Sequence, residues 1–237
     1  MNFSHRDLQP ELMDDPQIDT THHRHALAGL SRVNWWSRTD AAIWNAVRNL
    51  KTAAPDTPLR ILDIACGGGD VAIRLARRFQ KSGRPVSIHG CDISETAIQV
   101  ATEKARRAGV SDVRFSSINI LTDSMVEKDY DVVLCSLFLH HLNDEDSRIL
   151  LQQMRRGARQ LVLIDDLRRC FSGYWLAWIG CRILTRCHIV HVDGPLSVKG
   201  AYTTSEALRL CHECGLDGAT AEHHWPQRFL LQWRPTT

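Results

Sequence analysis

An acidic residue followed by a run of glycines carries the clearest chemistry in this sequence. Asp63 lies within the apolar segment 59–64, and the glycines at 67–69 follow it closely. Glycines let backbone N–H groups approach a ligand, and a helix that begins after them adds the positive end of its dipole. A carboxylate just ahead of the turn favours a ligand with a cationic amino group and would repel a phosphate. The pattern therefore predicts a nucleotide-type site that does not bind pyrophosphate.

Asp92 supplies a second acid, at the end of the next predicted strand and 23 residues after Gly69. Doubly wound folds place an acid at this position to bind a ribose. A carboxylate accepts hydrogen bonds from both ribose hydroxyls, and an acid at the end of an apolar strand has no evident structural use. Together with Asp63, it predicts a ligand that has an amino group at one end and a sugar at the other.

The elements that must hold these acids alternate along the chain. Apolar runs and helical periodicity predict strands separated by helices. The predicted strands cover residues 59–64, 86–91, 113–117, 130–135 and 160–164, and the predicted helices cover 70–80, 95–108 and 144–156. This alternation implies a doubly wound α/β fold with a mostly parallel sheet, right-handed crossovers and helices on both faces. Two further strands, near 219–223 and 228–233, predict an antiparallel hairpin at the edge of the sheet.

Several predicted segments lie outside this alternation. Residues 1–18 are polar and predict an irregular arm, and helical runs then extend to residue 51 and predict a cap across the carboxyl edge of the sheet. The apolar segment 171–190 predicts a long helix, joined by a short link at 193–195 to the next element. We expect residues 1–54 to form the arm and cap, and residues 55–237 to form the sheet domain, with a helical lid at about 171–200.

Composition limits the classes of function. The chain has 237 residues and a net charge of +2, which gives no electrostatic case for nucleic acid as the main partner. The N-terminus lacks the apolar core of a secretory signal. Arg182 and Arg186 interrupt the 171–190 helix, which is therefore not expected to span a membrane. The motif Thr203-x-x-Glu206 predicts a capping box for a helix that ends at Cys214.

Cysteine and histidine spacing predicts no metal site. Cys211-x-x-Cys214 is a close pair, but no second pair at a finger-like distance completes four ligands. His22, His23 and His25 have no carboxylate at coordination spacing, so we expect a solvated cluster at a helix start. The remaining cysteines are scattered, which favours reduced thiols and a cytoplasmic location.

The spacing Asp63-x-Ala65-x-Gly67-x-Gly69 resembles motif I of the class I S-adenosylmethionine-dependent methyltransferases. Ala65 stands where the family commonly has its first glycine, and we expect it to keep a negative φ. The resemblance implies a Rossmann-like sheet of seven strands in the order 3-2-1-4-5-7-6. It also implies that the cofactor is S-adenosylmethionine, with S-adenosylhomocysteine as the product.

The resemblance also assigns cofactor contacts. Asn119 follows the third strand, where the family places Asp or Asn beside the adenine amino group, and Ile120 would pack on the ring. Ser136 ends the fourth strand, where a backbone carbonyl meets the methionine amino group. The predicted cofactor-binding residues are Asp63, Ala65, Cys66, Gly67, Gly69, Asp92, Ile93, Asn119, Ile120 and Ser136.

The segment 135–142 bears on the methyl acceptor. It lacks the Asn/Asp-Pro-Pro-aromatic sequence of methyltransferases that act on nucleic-acid amino groups, and it contains His140 and His141 instead. Together with segments 11–16, 26–34, 166–169, 173–174 and 191–195, it resembles the ubiquinone/menaquinone-type small-molecule methyltransferases and their bacterial polyketide-associated relatives. The resemblance implies O-methylation of a phenolic or polyketide-like hydroxyl on a small-molecule acceptor. Deprotonation of a phenol benefits from a base; the first candidates are His140 and His141, followed by His191 and Asp165.

Other interpretations remain open from the sequence. The enzyme could methylate a carbon of a quinol or the nitrogen of a small amine, and a quinol acceptor predicts transient membrane contact by the 171–190 helix. Alternatively, the chain could bind S-adenosylmethionine without catalysis. A histidine ahead of a helix also often only caps it or fills a gap, and the aromatic residues 174–178 either line an acceptor pocket or pack on the sheet.

Overall fold

A computed structural model describes residues 3–15, 17–54, 56–123 and 128–235, and a seven-stranded sheet forms its centre. The strands are β1 (Leu59–Ile64), β2 (Val86–Asp92), β3 (Val113–Ser117), β4 (Tyr130–Ser136), β5 (Ala158–Leu167), β6 (Thr220–His224) and β7 (Arg228–Trp233). Their order is β3-β2-β1-β4-β5-β7-β6, which confirms the prediction. The first five strands run parallel, and β7 pairs antiparallel with both β5 and β6.

Eight helices surround the described sheet. They are α1 (Thr20–Ser37), α2 (Thr39–Val47), α3 (Asp70–Ser82), α4 (Glu95–Arg107), α5 (Asp144–Gly157), α6 (Phe171–Leu184), α7 (His188–Gly200) and α8 (Thr204–Glu213). Two short 3-10 turns cover Leu12–Asp14 and Leu139–His141. One core lies between the sheet and α2, α3 and the end of α4, and the other lies between the sheet and α5 and α8. The predicted capping box of α8 is present at Thr203 and Glu206.

The two N-terminal helices have different surroundings. α1 contacts α4, α6 and α7 at the carboxyl end of the sheet. α2 contacts α3 and β5 instead. Its residues Ile43 and Val47 are buried, and Trp44 meets Phe79 of α3 edge to face at a centroid distance of 5.0 Å.

The lid consists of two helices, so the prediction of one helix over 171–190 and a link at 193–195 was wrong. The break comes at Thr185, whose backbone is extended and whose hydroxyl accepts a hydrogen bond from Cys187 N at 3.1 Å. α7 then continues through Pro195. Gly194 packs against Cys181 of α6, where an added Cβ would lie 2.5 Å from Sγ. This tertiary packing outweighs the local tendency of Gly-Pro to end a helix.

The described part of the arm lies against α7 and is irregular apart from its 3-10 turn. The Asp193 carboxylate accepts hydrogen bonds from Leu12 N at 2.9 Å and Met13 N at 3.0 Å. Arg6 Nε donates to Gly200 O at 2.8 Å. The arm is thereby fixed beside the carboxyl edge of the sheet. No helix within the described ranges is long and apolar enough to cross a membrane.

Candidate active site

A cavity of about 890 Å³ opens at the carboxyl ends of β1, β2 and β4. Its walls come from α1, α6, α7 and the arm. Ligand sites in doubly wound folds lie at this edge of the sheet. A volume near the upper end of the usual range, about 300–1,000 Å³, leaves room for two ligands side by side.

The glycine turn after β1 forms the floor of the cavity. Ala65 and Gly67 have φ values of +52° and +51°, so the expectation of a negative φ at Ala65 was wrong. The turn bends sharply to bond Cys66 N to Cys91 O at 3.0 Å, and an alanine in the left-handed region costs about 1–2 kcal/mol. Gly69 does not line the cavity; an added Cβ there would lie 2.8 Å from Ala101 Cβ. Glycine is required at this position by its left-handed backbone, with φ of +73°, and by the close packing against α4.

Asp63 lies beneath this floor and is only 1% exposed. It is not a cavity-lining residue, although the adjacent Ile64 is. Neither carboxylate oxygen has a hydrogen-bond partner among the described residues. Burial, and then the charge of Asp92, raise the pKa of Asp63 to about 8. Because an unpartnered buried acid is costly, a cationic amino group at this point of the floor would supply what Asp63 lacks.

Asp92 lines the cavity beside the glycine turn. Its Oδ2 accepts a hydrogen bond from Gly67 N and its Oδ1 accepts one from Ser94 N, both at 2.9 Å. Burial raises the pKa of Asp92 above its ordinary value, and these two bonds oppose the shift. The side chain is thus held at the position predicted for a ribose-binding acid.

Most of the predicted cofactor residues meet in this cavity. The lining includes Ala65, Cys66, Gly67, Asp92, Ile93, Asn119, Ile120 and Ser136, and it leaves out Asp63 and Gly69. The Asn119 side chain accepts a hydrogen bond from Leu121 N at 3.1 Å, which holds it at the end of β3. Eight of the ten predicted cofactor-binding residues therefore line one cavity, where they form a cradle around Asp92.

His140 lies in the turn after β4 and lines the same cavity, although it is only 3% exposed. Its Nδ1 is 2.6 Å from Asp166 Oδ1, and its backbone N donates to Asp166 Oδ2 at 3.1 Å. Burial acts to raise the pKa of Asp166, but the charge and the hydrogen bond of His140 outweigh burial and lower this pKa below its ordinary value. With Nδ1 taken by Asp166, the other nitrogen lies 3.9 Å from Glu11 Oε1.

His141 also lines the cavity and stacks against His140 at a centroid distance of 4.3 Å. Its Nδ1 is 2.8 Å from Asp14 Oδ2. Burial acts against protonation, but the hydrogen bond to Asp14 and the charge of Glu11 outweigh it and raise the pKa of His141 to about 9. His141 is therefore a cation at neutral pH.

The other two candidate bases, His191 and Asp165, lie outside the cavity. His191 bonds through Nε2 to Thr185 O at 2.7 Å and does not line the cavity. Asp165 lies beside Arg228 and His224 and does not line it either.

Sequence reasoning missed the acids that surround the histidines. Glu11, Asp14 and Asp166 all reach them, and the first two come from the arm. All three lie within segments that resembled the polyketide-associated relatives, but no spacing linked them to a histidine. The ligand atoms of Glu11, His140 and His141 lie within 4.8 Å of one another, so this cluster has the donor set to hold a metal ion, where the sequence predicted none.

Comparison with known proteins agrees with this geometry. A family model described as "Methyltransferase domain" matches residues 61–160. The ubiquinone biosynthesis O-methyltransferase of Ruegeria sp. (strain TM1040) is 29% identical over 140 residues, which is 59% of this chain and 53% of that protein. The protein of the same name from Chelativorans sp. (strain BNC1) is 32% identical over 142 residues, 59% of this chain and 52% of the relative. The chain thus spans about half the length of these relatives.

Solved structures share the fold. A SAM-dependent methyltransferase from Aquifex aeolicus has a TM-score of 0.64 at 12% identity and covers 93% of this chain and 100% of its own. The plantazolicin methyltransferase BpumL, solved in complex with SAH, has a TM-score of 0.65 at 17% identity, with coverage of 93% and 90%. Residues 61–160 thus match a methyltransferase domain, and the sheet order and the solved structures show a methyltransferase fold; together with the acid-flanked glycine turn, they make the chain similar to the class I S-adenosylmethionine-dependent methyltransferases, whose cofactor is S-adenosylmethionine.

Proposed function

We propose that this chain transfers a methyl group from S-adenosylmethionine to a phenolic hydroxyl of a small molecule. One observation carries the proposal: a single cavity joins the cradle around Asp92 to His140, which is held by Asp166. When bound, S-adenosylmethionine supplies an electrophilic methyl group on a sulfonium. The protein must then position the acceptor oxygen, exclude water and remove a proton.

The cofactor side uses the residues at the strand ends. Asp63 would pair with the amino group of the methionine end, and Asp92 would accept hydrogen bonds from the ribose hydroxyls. Asn119 and Ile120 would contact the adenine. The unpartnered oxygens of Asp63 support the first of these roles, because a cation is the partner that a buried carboxylate lacks.

His140 is proposed as the general base. Its Nδ1–H donates a hydrogen bond to Asp166. The lone pair on Nε2 is then available to accept the proton of a phenol. Asp166 is a positioning residue, since it fixes the tautomer and stabilises the imidazolium that forms. The cationic His141 adds positive charge near the oxygen as its proton leaves.

A labelled-methyl assay tests the function. Tritiated S-adenosylmethionine is offered with panels of phenols, quinols and amines, and we expect transfer to phenols. His140→Ala should lower turnover by about 100-fold or more, while its affinity for S-adenosylhomocysteine stays within about twofold. His212→Ala is the matched control, because this histidine of α8 is exposed and does not line the cavity, and it should retain activity.

Three results would contradict the proposal. Silence with every acceptor, together with tight cofactor binding, would favour a non-catalytic binding protein. Transfer to amines alone would favour N-methylation. Turnover that is lost on addition of EDTA would assign the proton step to a metal held by Glu11, His140 and His141 and not to the free His140 base.

A second candidate acceptor is a membrane-borne quinol, which the outer face of α6 favours. Phe171 and Ile183 are 62% and 76% exposed, and Trp175, Trp178 and Ile179 are exposed on the same side. An apolar aromatic face flanked by Arg182 is suited to a membrane interface. Sedimentation with anionic liposomes separates the candidates, because an enzyme for a dissolved phenol stays in the supernatant and one for a quinol pellets with the vesicles.

We also infer a cytoplasmic location. All eight cysteines are free thiols in the structure, which supports a reducing compartment.

A further inference from the structure

Close packing explains two of the glycines in the helices around the cavity. Glycine destabilises a helix interior relative to alanine, so each such position needs a reason. An added Cβ at Gly29 in α1 would lie 2.8 Å from Thr185 Oγ1, and one at Gly194 in α7 would lie 2.5 Å from Cys181 Sγ. These glycines let α1, α6 and α7 approach one another.

Gly180, inside α6, has no such explanation. An added Cβ there would meet no atom of the described residues within 4 Å, and the backbone of Gly180 is helical and does not require glycine. Gly180 lines the cavity, as do Leu176, Ala177 and Leu184 on the same face of α6. Alanine would fit and would favour the helix. The position therefore keeps space open on the cavity side of α6.

Asn34 of α1 is an independent sign of a ligand in the same cavity. Its Oδ1 is buried and has no hydrogen-bond partner among the described residues. Asn34 lines the cavity together with the apolar residues Leu30, Val33 and Trp36. Buried polar atoms in folded proteins are almost always hydrogen-bonded. A ligand hydroxyl at this end of the cavity would donate the missing bond.

We propose that the acceptor is a fused-ring aromatic with at least two hydroxyls. The inference rests on the proposed function, because one hydroxyl must reach His140 to lose its proton. The apolar rings occupy the space beside Gly180, and a second hydroxyl donates to Asn34 Oδ1. A single-ring phenol leaves both features unused and binds more weakly. Gly180 and Asn34 are thus specificity-determining residues for size and for hydroxyl count.

Equilibrium binding tests this inference without any methyl transfer. The protein saturated with S-adenosylhomocysteine is titrated calorimetrically with phenol, 2-naphthol and a set of dihydroxynaphthalenes. We expect the wild-type chain to bind at least one dihydroxynaphthalene at least about tenfold more tightly than phenol. Gly180→Leu should weaken binding of both naphthalene classes at least about tenfold and leave phenol affinity within about twofold. Asn34→Leu should weaken binding of the dihydroxynaphthalene and spare 2-naphthol.

Ser172→Leu is the matched control, because it adds the same side chain at an exposed position of α6 that does not line the cavity. It should bind all the probes as the wild type does, and thermal unfolding checks that each variant is folded. If Gly180→Leu does not fold, Gly180→Ala replaces it, with a smaller loss expected for the naphthalenes.

Two outcomes would overturn the proposal: equal wild-type affinity for phenol and naphthalenes, or a folded Gly180 variant that binds naphthalenes as the wild type does. The assay also separates this inference from the proposed function. If the naphthalenes bind as expected but none is methylated, the acceptor space is supported and the proposed catalysis fails.

Discussion

Asp63 is a buried acid one residue before the carboxyl end of β1, and both of its carboxylate oxygens lack a partner in the described structure. Apolar residues would make a more stable strand at this position. Burial, and then the charge of Asp92, raise the pKa of Asp63 to about 8, so that its carboxyl group is protonated at lower pH. A cationic amino group beside it would favour the carboxylate form, so ligand binding and proton release are coupled at this residue.

We predict that S-adenosylhomocysteine releases about one proton from Asp63 when it binds at pH 7. Free Asp63 carries a proton below about pH 8, and the complex favours the ionised form, so affinity should fall by up to about tenfold per pH unit below this value. Calorimetry in two buffers with different ionisation enthalpies measures the release. Asp63→Asn should abolish the proton release and bind S-adenosylhomocysteine at least about tenfold more weakly.

The control is Asp112→Asn, because Asp112 is an acid that does not line the cavity. Wild-type binding without proton release would contradict the prediction.

Single residues show both what the sequence predicts about the site and what it does not. The position of Asp92 in the site was predictable, because the spacing along the chain places this residue at the end of a strand. The left-handed backbone of Ala65 was not, since the turn adopts it to bond Cys66 to Cys91 of the neighbouring strand. The contact between Asp166 and His140 depends on the register in which β4 pairs with β5. Residue spacing along the chain does not predict that register.

The arm and the turn after β4 are elements that meet only in the folded chain. Asp14 of the arm bonds His141 of the turn at 2.8 Å. The pKa of His141 is raised to about 9 from an ordinary value of 6.5. The folded protein therefore binds more protons than the unfolded chain between these values. The stabilisation is fully present below pH 6.5 and is lost as the pH rises through about 9.

We predict that Asp14→Asn destabilises the protein at pH 6 and has little effect at pH 10. The Asp14 side chain is 55% exposed, so the loss at pH 6 should be only about 1 kcal/mol, or roughly 2–4 °C in Tm. Thermal unfolding at the two pH values measures it. Asp15→Asn, the exposed neighbour, should change neither value. An equal loss at both pH values would mean that the link between arm and turn does not depend on charge.

The sheet elements were predictable to within a few residues, because alternating apolar and amphipathic runs specify them locally. The lid was not. The break at Thr185 depends on hydrogen bonds of Thr185 to Cys187 and His191, and the passage of α7 through Pro195 depends on packing against α6. Such tertiary contacts outweigh helix propensity and leave no periodic pattern in the chain.

At the scale of the whole molecule, the parallel sheet brings Asp63, Asp92 and His140 to one edge from three strand ends. α1, the arm and the lid then enclose that edge and form a cavity of about 890 Å³. The chemistry of the strand ends was evident in the sequence, whereas the order of the strands was implied by the resemblance to the methyltransferase family. The enclosing walls were evident only in outline, because the segments that form them are far apart in the chain.

Calorimetric titration with S-adenosylhomocysteine tests the central claim, that this edge holds the cofactor through its two acids. We expect one binding site per chain in the wild type. Asp92→Ala should weaken binding by more than about tenfold, because a charged hydrogen-bond partner in a desolvated site is lost, while thermal unfolding shows that the variant is folded. Absence of binding to the wild-type chain, or an unchanged affinity in folded Asp92→Ala, would contradict the account.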